Sequence, residues 1–180
     1  MNNKSEKIKD VVNIGISGCL LIISSWIQIP LTIPITLQIL SIFVISGIFS
    51  FKQSFVSVII YIVLGIIGLP VFSMFNNGIG VIVGYNGGFI VSFILIPIIV
   101  NIFNYKTKDN YKLLFVSFIV SLLMVYILGS IWFMKVYLMN TGTISYINVL
   151  AIAVIPFIIP DIIKIVIALI IIRKIKTDKS

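Results

Sequence analysis

Asp161 and Lys164 are opposite charges three residues apart in an otherwise apolar run, Ile155-Pro-Phe-Ile-Ile-Pro-Asp-Ile-Ile-Lys-Ile-Val-Ile-Ala-Leu169. Residues at this spacing share one face of a helix, so the pair offers an acceptor and a cation side by side. If Arg173 marks the membrane edge, Lys164 lies about 13 Å and Asp161 about 18 Å inside it, at 1.5 Å per residue. Charges at that depth are expensive and point to function by default, although a buried pair can also serve only to neutralise itself. The ligand that suits them is a small polar anion with N–H groups of its own. Catalysis is poorly served. The chain has no histidine and one cysteine, Cys19, which removes histidine acid/base and metal chemistry and any disulfide within the chain. No glycine-rich piece has the Gly-x-x-x-x-Gly-Lys-Ser/Thr pattern that cradles phosphates. The expectation is a binding protein without cofactor or metal, not an enzyme.

Weaker candidates surround this pair. Gln38 either reaches a substrate or solvates a helix end. The stretch Gly84-Tyr-Asn-Gly-Gly88 lets a ligand or a second helix approach the backbone closely, as small residues do in membranes. Tyr85 and Asn86 are candidate pocket walls there, with Tyr85 equally readable as an interfacial aromatic. Trp26 and Trp132 read first as members of the same aromatic belt and second as stacking groups. Gly15 and Cys19, four apart, form one small-xxx-small pair suited to helix contact.

The elements that must position these residues follow from composition. Of 180 residues, 60% are hydrophobic and 10% charged, against roughly 45–50% and 25% in soluble domains. Val11–Phe51, Gln53–Tyr105 and Leu113–Met134 contain no charged residue, and about 20 apolar residues cross a bilayer as a helix. Apolar side chains at both parities, as in Ile94–Val100, exclude the alternation of a membrane β-barrel. Prolines and polar turns divide the chain into six spans, near 11–29, 35–50, 54–69, 79–103, 113–133 and 144–172. The expected architecture is an all-α, six-helix membrane bundle over residues 11–172, with an N-terminal tail at 1–10 and a basic C-terminal tail at 173–180. Pro160 suits the first turn of a helix, so the last span is expected to restart there.

Six spans put both termini on one side. All but two of the thirteen Lys and Arg, Lys135 and Lys164, then lie on that side, which the positive-inside rule makes cytoplasmic. The expectation is a multi-pass cell-membrane protein with both termini inside, its basic face meeting anionic lipid and no nucleic acid. The uncharged connections 28–36 and 68–80 are either ordinary outer turns or the rim and lid of a pocket.

Taken in order, Pro34-Ile-Thr-Leu-Gln38, Tyr61-Ile-Val-Leu-Gly-Ile-Ile-Gly-Leu-Pro-Val-Phe72, Gly78-Ile-Gly80, Gly84-Tyr-Asn-Gly-Gly-Phe89, Leu128-Gly-Ser-Ile-Trp132 and Pro156-Phe-Ile-Ile-Pro-Asp-Ile-Ile-Lys164 resemble the BioY family. These are the biotin-binding S components of energy-coupling factor transporters. The resemblance runs from about residue 10 to 174. It implies an outward-facing biotin pocket capped by the first outer loop, working with a transmembrane scaffold subunit and two cytoplasmic ATPases. It implies that Asp161 and Lys164 are the substrate-site acid and lysine. Asn77, with Asn76 as the alternative, matches the polar residue of the third connection, and Gly15 and Cys19 stand where the family's first helix meets the scaffold. Phe72, Tyr85 and Trp132 are candidates to enclose the apolar ring of biotin. The family commonly reads Gly-Pro-Thr-Gly-Gly-Tyr where this chain has Gly84-Tyr-Asn-Gly-Gly-Phe89. Other readings are an S component for another vitamin, thiamine or riboflavin, or a membrane interaction subunit without transport.

Overall fold

The computed structural model describes residues 2–31, 33–104 and 110–178. Thr32 of the first connection, Lys106 and Lys108 of the 104–112 segment, and Lys179 lie outside the described residues.

Among the described residues nine α-helices follow the apolar segments: α1 (Asn2–Trp26), α2 (Gln38–Ile48), α3 (Phe51–Ile66), α4 (Ile79–Val83), α5 (Gly87–Ser92), α6 (Leu95–Asn104), α7 (Tyr111–Asn140), α8 (Tyr146–Ala153) and α9 (Ile155–Thr177). They fall into six groups, because α4–α6 together occupy the expected fourth span and α8–α9 the sixth. Among the described residues three helices are long and apolar enough to cross a membrane, over Lys4–Trp26, Tyr111–Asn140 and Ile155–Thr177. Large apolar side chains on α9, among them Ile159, Ile163, Val166 and Ile170, point outward, which is stable only where the surroundings are hydrocarbon.

The inward face of α7 shows what holds such a bundle. Leu114, Ser117, Phe118, Ser121, Leu122, Val125, Tyr126, Gly129, Ser130 and Phe133 are buried at three- and four-residue steps. Lipid tails are as apolar as leucine, so packing in a membrane depends on close approach and not on hydrophobicity. Small residues supply that approach. Ser117 and Ser121 return their hydroxyls to the carbonyls of Leu114 and Ser117, at 2.7 and 2.6 Å, and leave flat surface for the neighbour. Phe118 stacks on Phe43 of α2 with ring centroids 4.4 Å apart. Between α1 and α3, the Ser57 hydroxyl lies 3.3 Å from the Ile14 carbonyl.

Several boundaries differ from the sequence expectation, each for a local reason. Residues 2–10, expected as a tail, form the first turns of α1; Asp10 meets Lys52 at 3.9 Å and accepts from Gln53 Nε2 at 2.6 Å. The 28–36 connection is a small antiparallel hairpin, β1 (Gln28–Ile29) with β2 (Ile35–Thr36), registered Gln28 to Thr36. α7 runs to Asn140, so most of the expected 134–143 loop is helical, ending where Gly142 takes φ +125°. The last span restarts at Ile155 and not at Pro160: Pro156 occupies the first turn, and Pro160 lies inside the helix. The missing N–H of Pro160 leaves the carbonyl one turn earlier without its usual donor.

Candidate functional site

Asp161 and Lys164 are fully and almost fully buried. They project together from α9, with Lys164 Nζ 2.7 Å from Asp161 Oδ1. The second carboxylate oxygen accepts from Tyr126 Oη of α7, also at 2.7 Å. Both oxygens are thus held by donors from two helices, and Asp161 is oriented as well as neutralised. A carboxylate has lone pairs for about four donors and an ammonium has three N–H groups. Among the described residues one N–H of Lys164 is engaged, so the pair keeps capacity for a ligand.

The pair forms part of the wall of a cavity that is mostly apolar with a few converging polar groups, the lining expected of a small-molecule site. Ile33, Pro34 and Thr36 of the hairpin lie on one side, and Ile90, Phe93 and Phe157 supply the apolar walls. Gln38, at the start of α2, adds a second fixed polar group. Its Oε1 accepts from Thr36 Oγ1 at 2.8 Å, and its Nε2 donates to the Tyr61 hydroxyl of α3. Ser73 comes from the connection after α3, where Met74 and Phe75 adopt φ of 59° and 56°. Left-handed backbone at bulky residues is strained and persists where surroundings enforce it. Here Phe75 packs on Trp26 at 5.1 Å, Trp26 Nε1 donates to the Pro70 carbonyl at 3.0 Å, and Ser25 Oγ donates to the Val71 carbonyl at 2.6 Å. The end of α1 therefore anchors this side of the rim.

Of the residues singled out from the sequence, Asp161, Lys164, Gln38 and Asn86 line the cavity together. Phe72 is fully buried and is not among the residues that line it; its ring meets Tyr61 edge-on at 5.6 Å. Trp132 is packed between helices, its Nε1 donating to the Gly84 carbonyl at 3.0 Å and Lys135 lying 5.9 Å from its ring. Tyr85 bonds Thr141 at 2.8 Å and packs on Phe133 at 5.2 Å. Asn77 is exposed in the turn beyond Ser73, while Asn76 Nδ2 donates to the Ser73 carbonyl at 3.0 Å. Gly15 and Cys19 sit on the outward face of α1, and nothing lies within 4 Å of the point where a Cβ on Gly15 would stand.

Tyr126, Thr36, Ser73 and Phe157 were missed by sequence reasoning. For Tyr126 a signal existed: a phenol deep in an apolar span needs a hydrogen-bond partner, and its position falls on the small-residue stripe of α7. Among the described residues no group of three His, Cys, Asp or Glu side chains could hold a metal, so the site's charge chemistry is that of the Asp161–Lys164 pair.

The geometry has close relatives. A solved structure described as the S-component for biotin from an ECF-type ABC transporter superposes with a TM-score of 0.85 at 25% identity, covering 98% of this chain and 94% of that one. The biotin transporter BioY of Thermotoga maritima is 30% identical over 170 residues, 94% of this chain and 96% of its own length. A Pyrococcus horikoshii protein named "Probable biotin transporter BioY" is 29% identical over 171 residues, 94% and 98% of the two lengths. The model of the BioY family matches residues 1–179; with agreement over that length in sequence and in fold, the chain belongs to the BioY family.

Proposed function

We propose that this chain captures biotin at the outer membrane surface as the substrate-specific subunit of an energy-coupling factor transporter. The observation that carries the reading is a buried, doubly held carboxylate beside an under-used ammonium in a mostly apolar cavity. Biotin presents two ureido N–H donors, a carbonyl acceptor, a fused sulfur ring and an aliphatic carboxylate. Lys164 pairs with that carboxylate, held in place by Asp161. Gln38 and Asn86 supply polar contacts, and Phe89, Phe93 and Phe157 enclose the ring. Phe72, Tyr85 and Trp132 support the pocket from behind, and Asn77 reaches the ligand when the third connection folds over the mouth.

Uptake against a gradient needs an energy source, for which the reading assigns a transmembrane scaffold and two cytoplasmic ATPases. Gly15 and Cys19, on the exposed face of α1, are the proposed scaffold contact. Both termini are cytoplasmic. The 1–10 and 173–180 segments form the basic inner face against anionic lipid, and the cavity opens outward.

Because a ligand that binds only the native state stabilises it by mass action, thermal unfolding of the purified chain with a vitamin panel tests this reading. Biotin should raise the melting temperature in a saturable manner, and thiamine and riboflavin should leave it unchanged. Stabilisation by either of those and not by biotin would reassign the substrate.

A further inference from the structure

Asn86 immediately precedes α5, a position where an asparagine ordinarily turns its side-chain oxygen onto the backbone N–H groups of its own helix. It does not do so here. Its backbone carbonyl accepts from the N–H groups of Phe89 and Ile90 at 3.1 and 3.2 Å, while the side chain caps nothing. The residue has φ −85° and ψ −13°, helical values in place of the extended ones a capping residue usually takes. Its Oδ1 is buried and accepts no hydrogen bond.

Three more buried side-chain atoms among the described residues are unpartnered, on Ser17, Gln28 and Ser46, and none of those residues lines the cavity; Asn86 does. Each neighbouring side-chain acceptor already has at least one donor, whereas Asn86 Oδ1 has none. Asp161 holds Lys164 and Tyr126 on its two oxygens, and Gln38 Oε1 holds Thr36. A buried acceptor without a donor carries a desolvation cost that native structures rarely leave unmet. The backbone gives Asn86 little room to turn away. A Cβ on Gly87 would run into the carbonyl of Ile82, and a Cβ on Gly88 into Trp132.

We infer that Asn86 Oδ1 is the acceptor for a ureido N–H of the bound ligand, which makes Asn86 a specificity-determining residue and sets the ligand's direction in the cavity. The inference rests on the biotin reading above. It places the ureido ring against the start of α5 and leaves the aliphatic carboxylate to Lys164. A threonine at this position would keep an acceptor at shorter reach.

The test is calorimetric titration of the purified wild type, Asn86→Ala and Asn86→Thr with biotin and with the two mono-N-methyl ureido derivatives of biotin. Asn86→Ala should lose about 10- to 100-fold in biotin affinity, while its unliganded melting temperature should not fall, since the unpaired acceptor is gone. Asn86→Thr should recover most of the affinity. Methylation of one of the two nitrogens should be costly in wild type and much less so in Asn86→Ala. Binding by Asn86→Ala within twofold of a wild type that does bind biotin overturns this inference and leaves the biotin reading standing. So does an equal methylation penalty in the two proteins. A wild type that does not bind biotin overturns the reading beneath both.

Discussion

The Asp161 carboxylate sits between Lys164 Nζ and Tyr126 Oη, and that arrangement sets what each side chain contributes. The two charges stood out in the sequence inside an apolar run, whereas the signal of Tyr126, a phenol on the small-residue stripe of α7, is read only once that stripe is recognised. The three now form one unit, and their separate roles predict separate losses. Lys164→Met keeps apolar length but removes the donor, at a cost of about 1.5–3 kcal/mol for a hydrogen bond to a charged group, or roughly 10–150-fold in biotin affinity. Binding of the primary amide of biotin should fall by a similar factor in wild type and much less in Lys164→Met; equal amide penalties in calorimetry would remove the carboxylate contact from Lys164. Removing one charge alone leaves the other buried and uncompensated, whereas replacing a whole buried pair is often close to neutral for stability. The double variant Asp161→Asn with Lys164→Met should therefore unfold near the wild-type temperature and yet fail to bind. A large drop in melting temperature for the double variant would show that the pair is chiefly structural.

At the scale of elements, the six apolar segments could be read directly, but their internal breaks could not. The glycines of 84–88 admitted either a ligand or a helix. The structure shows a helix approaching: Gly88 faces Trp132 and Gly129 faces Phe89, so α5 and α7 interlock through both pairs. That contact holds Phe89 and Ile90 at the cavity wall. Gly129→Leu overfills it, and overpacking of this kind costs about 1–3 kcal/mol. The expected outcome is a lower melting temperature together with weaker biotin binding, because α5 is displaced; unchanged values for both would mean that α5 does not depend on this contact. Pro160 misled for a related reason. Two prolines four residues apart both fit a helix start, and only packing decides that Pro156 takes that place.

On the scale of the whole molecule, apolar surface outside and serine-rich contacts inside make a membrane the only stable surroundings, which composition alone anticipated. The proposed orientation rests on charge, with the basic termini expected inside. In a Cys19-free background, a cysteine at exposed Met139 should react with an impermeant maleimide on intact cells, and one at Thr177 only after permeabilisation. The reverse pattern would invert the topology and turn the cavity mouth inward. The central claim, that a cavity built on the Asp161–Lys164 pair captures biotin, is tested most directly by equilibrium dialysis of radiolabelled biotin against the purified chain. One saturable site per chain is predicted, undiminished by excess thiamine or riboflavin and lost in the folded Asp161→Asn, Lys164→Met variant. Absence of saturable binding by the wild type, or retention of wild-type affinity by that variant, would contradict the account.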